Sequence, residues 1–127
     1  MTRAFVSLFL ILTTLAFAID KLTVKQLQAD TKKYDNKEII LTGKVDQFKQ
    51  RTSRAGNPYF TFKMVDKADK KIEVNVYGQG KPDKEPKNGD MVEVKGIYRI
   101  EKQFGGNTFK NEIQIKPQAL NVLEPDK

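Results

Sequence analysis

The amino-acid sequence predicts an all-β domain, a five-stranded Greek-key barrel preceded by a short helix. Three observations carry that expectation. Apolar and polar residues alternate over several runs, as a sheet with one buried face demands. Glycine interrupts the first and the fourth of these runs, at Gly43 and Gly96, where a strand must bulge or bend. A long charged connection holding Pro82 and Pro86 separates the third run from the fourth.

In chain order, Val24 and Leu27 sit three apart behind Thr23, which predicts a capped helix over residues 24–33, followed by a turn at Tyr34-Asp35-Asn36-Lys37. The first strand is expected over 38–49, with Ile39, Leu41 and Val45 on one parity. A loop over 52–57 ends in the turn signal Gly56-Asn57-Pro58. In the second strand, 59–65, Phe60, Phe62 and Met64 alternate with Tyr59, Thr61 and Lys63. The third, 71–77, alternates Ile72, Val74 and Val76 with Glu73, Asn75 and Tyr77. Residues 78–89 read as a loop, 90–102 as the fourth strand, and Gly105-Gly106-Asn107 as a tight connection. A fifth strand runs over 108–115 until Pro117 stops it, and 119–123 form a final edge segment.

Residues 1–18 stand apart. Arg3, an apolar run from Ala4 to Leu15 and the small-x-small pattern Ala16-Phe17-Ala18 read as a secretory signal peptide, so export to the periplasm or medium is expected. An uncleaved anchor is the alternative, but a spanning helix needs about 20 apolar residues and this run is shorter. After cleavage no membrane insertion is expected. The domain plan is then a lead-in helix and turn over 19–37, the β domain over 38–123 and a tail over 124–127.

Composition excludes several chemistries. The 127 residues suffice for one domain, and they include no Cys and no His. Disulfides, thiolate metal sites, a cysteine nucleophile, a lipid-bearing N-terminal Cys and a Ser-His-Asp arrangement are all ruled out. No cofactor, no metal and no catalysis are expected. The formal charge is +7, and its placement is uneven. Between Lys44 and Lys63 there are five bases (Lys44, Lys49, Arg51, Arg54, Lys63) against Asp46 alone, whereas acids balance bases from Met64 to Val94.

Leu41-Thr42-Gly43-Lys44-Val45 and the run from Gly56 to Asp66 resemble the first two strands of the tRNA-anticodon type of OB fold (oligomer-binding fold). Ile72-Glu73-Val74-Asn75-Val76-Tyr77-Gly78 is similar to its third strand, and the segment from Asn88 to Gly96 to its turn and fourth strand. That resemblance implies single-stranded nucleic-acid binding, as in many members, along the second and third strands and between two loops. On the parity above, Tyr59, Thr61, Lys63, Asn75 and Tyr77 face outward. Lys44, Lys49, Arg51 and Arg54 lie beside them, and Arg99, Lys102 and Lys110 flank the second loop, with Phe104 and Phe109 beside Gly105-Gly106. Stacking tyrosines and phosphate-binding cations make a single-strand site. Cross-strand packing is the other reading of Tyr59 and Tyr77. A glycan or a protein segment is the alternative ligand, and the chain is expected to be a monomer. A secreted metal-dependent nuclease, with Asp46 and Asp66 as carboxylates, is the enzyme alternative.

Overall fold

The computed structural model describes residues 18–124. The expected signal peptide, apart from Ala18, and the last three residues of the tail lie outside that span. The order of elements is β1 (Lys21–Thr23), α1 (Val24–Ala29), α2 (Thr31–Tyr34), β2 (Lys37–Thr52), β3 (Pro58–Val65), β4 (Glu73–Gln79), β5 (Met91–Phe104) and β6 (Asn107–Val122). Together they form an OB-like all-β fold, a curled six-stranded sheet with two short helices.

β2 is what curls the sheet. Its first half, from Lys37 to Lys44, pairs antiparallel with β5, and its second half, from Lys44 to Thr52, pairs antiparallel with β3. The strands thus run β2-β3-β4-β6-β5 and return to β2, with β4 and β6 parallel. Closure is partial, because β3 and β5 use different halves of β2. The short β1 lies parallel on the edge of β2 that β3 leaves vacant, Leu22 opposite Leu41.

Alternation decides the interior as the sequence predicts. Phe60, Phe62, Met64, Val74 and Val76 are buried with Leu41, Val45, Val92, Val94, Tyr98 and Ile113. Ile72 is an exception: it precedes β4 and packs on the core only in part. α1 plugs one end of the sheet with Val24 and Leu27. Thr23 caps it reciprocally, its Oγ1 accepting from the Gln26 amide and its own amide donating to Gln26 Oε1. The expected single helix divides at Asp30, whose backbone leaves the helical region.

Gly43 is not a bulge. Its register with β5 is regular on both sides, the ladder with β3 begins at Lys44, and a Cβ there would stand 2.9 Å from Val24 Cγ2 and 2.8 Å from the Val65 carbonyl oxygen. The glycine makes room for α1. The irregularity in β2 comes later, between Asp46 and Lys49, where Gln47 adopts φ 57 and turns Phe48 toward the core. Gly96 does sit at an irregularity, next to the shift between Val94 and Gly96.

Two boundaries also move. Gly78, expected in a loop, belongs to β4 and pairs with Phe60. Pro117 does not end β6. Gly96 pairs with Ile115 and Val94 with Leu120, so residues 116–119 bulge out of the ladder where a missing N–H costs no hydrogen bond. The strand passes through and the expected edge segment is its continuation. Among the described residues no helix is long and apolar enough to cross a membrane.

Two polar residues tie α1 to the sheet. Asn111, in a left-handed conformation with φ 51, accepts from Gln28 Nε2 (2.8 Å) and from the Tyr98 hydroxyl (2.6 Å), and donates to the Glu73 carbonyl (3.0 Å). Asp66 is 3% exposed and accepts from the Lys25 amide in the first turn of α1 and from the Ala68 amide. Burial pushes its carboxyl up, but the backbone N–H groups and the Lys25 charge outweigh this and hold it below the usual value. Asp66 therefore supports the fold above the ordinary carboxylate value, and its contribution fades as pH falls from there through the depressed folded value. Asp66→Ala is expected to cost about 1–2 kcal/mol at neutral pH, as for a lost helix cap. Urea titrations of both proteins at neutral pH and near pH 3 check this: the stability gap should narrow in acid.

Candidate functional site

The outer face of the curled sheet carries a groove of about 1040 Å³ between two projecting hairpins. One is β2–β3, paired to its tip from Arg51 opposite Tyr59 to Thr52 opposite Pro58. The other is β5–β6, which continues past the rest of the sheet from Glu101 opposite Lys110 to Phe104 opposite Asn107. Gly105 and Gly106, both at positive φ, make its two-residue turn, as such turns require.

The floor comes from strand parity. Residues facing away from the core on β3 and β4 put Tyr59, Thr61, Lys63, Asn75 and Tyr77 in the groove. Tyr59 and Tyr77 sit diagonally across the β3–β4 ladder with ring centroids 5.7 Å apart and planes 33° apart. They are packing partners, and both remain half-exposed toward the groove. The two readings of the tyrosines are therefore compatible.

Cations surround this pair. Lys49, Arg51 and Arg54 approach from the β2–β3 hairpin; Arg99 and Lys110, with Phe104, from the β5–β6 side. Phe104 is 71% exposed at the hairpin tip. Of the twelve residues expected at the site, Lys44 is the one outside the groove. It pairs with Val65 and Met91, seven residues along β2 from Arg51 and at the far end of β3 from Tyr59.

The structure gives Lys102, one of the cations expected to flank the second loop, a central place. Lys102 Nζ lies 5.3 Å from the Tyr77 ring centroid and 5.5 Å from that of Phe109, within cation–π range of both. It also bonds Glu112 Oε1 at 2.9 Å, with both side chains largely shielded. Among the described residues Glu112 is the one acid lining the groove, and Lys102 compensates it. The available signal was cross-strand register, since Lys102 faces Phe109 and Arg99 faces Glu112 on adjoining strands. Lys63 is in turn held by Glu73 at 3.2 Å in an exposed pair, worth little by itself.

Among the described residues no group of three or more Asp and Glu is placed to hold a metal ion. Both Asp66 oxygens are engaged by backbone N–H groups, so that carboxylate has a structural task.

No protein-family model and no curated protein matches the chain. Solved structures do share its fold. A Klebsiella pneumoniae protein provisionally named a nucleic acid-binding lipoprotein superposes with a TM-score of 0.53 at 16% identity, over 84% of this chain and 92% of that one. One chain of the crystal structure of yeast Stn1 and Ten1 gives 0.54 at 13% identity, with 85% of this chain spanning 64% of that one. A protein from Leishmania major, provisionally named an aspartyl-tRNA synthetase, gives 0.51 at 13% identity, with 91% of this chain spanning 23% of that one. At these identities the likeness is one of fold, and the fold is OB-like.

Proposed function

We propose that the chain is an extracytoplasmic binding module that holds single-stranded nucleic acid in this groove. One observation carries the reading: a half-exposed tyrosine pair on the floor, ringed by cations from two hairpins. Bases have a face to stack on, and phosphates have Lys49, Arg51, Arg54, Lys63 and Lys110 within the same groove. Arginine supplies the fork geometry that suits phosphate oxygens. The name of the Klebsiella protein points the same way, and the secretory pattern of residues 1–18 supports export. With no Cys, this chain has no thiol to lipidate.

The groove chemistry is that of holding a ligand: stacking, hydrogen bonds from Thr61 and Asn75, and charge neutralisation. The test is a titration of labelled oligo-dT at two salt concentrations. Contacts to about five phosphates give a log–log salt slope of about −3.5 on single strands, so affinity should fall about a hundredfold between ~50 and ~200 mM salt. Absence of binding at the lower salt would retire the reading, and retention on a polysaccharide or a captured acidic protein would then replace it.

A further inference from the structure

A second cavity of about 470 Å³ opens on the outer face of β5 and β6. It is continuous with the groove, because Arg99, Lys102, Glu112 and Gln114 line both. Register explains the continuity. Tyr77 pairs with Gln114 and Gln114 with Ile97, while Asn75 pairs with Glu112 and Glu112 with Arg99. Two rows of outward residues therefore cross the sheet without a break from the tyrosine floor to β5. From β3 to β5 is three strand spacings, about 14 Å at the usual separation.

Two features of this second face call for an anion. At the boundary, the Arg99 Nε is buried and has no hydrogen-bond partner among the described residues. The acid opposite it, Glu112, is already bonded by Lys102. A shielded guanidinium donor left unpaired is costly, and an incoming phosphate oxygen would satisfy it. Further out, Lys95 and Lys116 are exposed on adjoining strands and in no ion pair among the described residues. The bulge over 116–119 carries Lys116 away from the ladder, and both lysines line the cavity. Glu38 is the second acid at this cavity, and the four cations there outnumber it and Glu112.

We propose that the bound single strand passes Arg99 and continues across the outer face of β5 and β6, with its phosphates on Lys95 and Lys116. The inference rests on the single-strand reading above and extends its footprint by a second segment.

The experiment uses oligo-dT of about 5 and about 15 nucleotides, lengths that bracket a single OB site. It compares the parent chain with Lys95→Gln/Lys116→Gln. Both lysines are exposed, and a circular-dichroism melt confirms that the variant folds. The expected result is weaker binding of the longer oligonucleotide only, with its log–log salt slope reduced by about 1.4, the worth of two single-strand phosphate contacts. Equal losses at both lengths, or no loss at either, would overturn the extension while leaving the groove reading intact. A parent chain that binds neither length at low salt would remove both.

Discussion

Replacing Tyr59 and Tyr77 together by Ala is expected to weaken single-strand binding by about 30- to 1000-fold. Each aromatic platform is worth about 1–3 kcal/mol per stacked base. The two rings touch at a centroid separation of 5.7 Å, so their contributions couple and the pair should fall short of a full sum. A combined loss of about 2–4 kcal/mol gives the stated range. The phenolic oxygens are secondary to stacking, so Tyr59→Phe/Tyr77→Phe should bind within a few fold of the parent chain. Fluorescence anisotropy with a labelled oligo-dT separates the two outcomes. Both tyrosines lie on the outer face, clear of the buried core, so the unfolding midpoint should move little. An Ala pair that binds like the parent would place the ligand elsewhere.

The part of this site that sequence alone could show is the part set by period two. Phe60, Phe62 and Met64 must share a face, and so Tyr59, Thr61 and Lys63 must share the other, whatever the strands pair with. Glycine and proline were legible as exceptions but not as particular exceptions. Gly43 and Gly96 look alike in the sequence, yet one admits Val24 of α1 and the other adjoins a shift in the β5–β6 ladder. Pro117 reads as a stop because proline lacks an N–H, and a bulge dissolves that objection. Gln47 gives no local sign of a left-handed backbone, and its bulge is what turns Phe48, of opposite parity to Ile39, Leu41 and Val45, toward the interior.

The contact of Lys102 with Glu112 was hidden for a different reason. Their meeting depends on the register of a long hairpin and on the parallel β4–β6 pairing that brings Tyr77 alongside. No spacing within one segment encodes such a contact. The three-residue β1 is likewise too short for a periodic signal, and it exists because β2 offers a vacant edge.

The largest stability effect is expected at Phe60, which supports the groove from beneath. Its ring is fully buried in a three-ring cluster with Phe48, at 5.9 Å, and Phe62, at 6.4 Å, which are themselves 6.0 Å apart. Phe48 enters that cluster through the bulge next to Lys49 and Arg51, so the rings also set the bearing of the β2–β3 hairpin. Phe60→Ala should cost about 3–5 kcal/mol, from lost burial plus the cavity left behind. Directly across the ladder is Gly78, where an added Cβ would overlap Cζ at the tip of the Phe60 ring. Its φ is not positive, so Gly78→Ala acts through overlap alone and should cost about 1–3 kcal/mol. The same overlap makes the two substitutions compensate: with the ring gone, the methyl that Gly78→Ala adds enters space that would otherwise be empty. Urea unfolding of both single variants and the double should show the double less destabilised than the sum, by about 1 kcal/mol or more. Strict additivity would mean that the ring does not lie over the glycine, and the inward parity of β3 on which the whole groove depends would lose its best-determined contact.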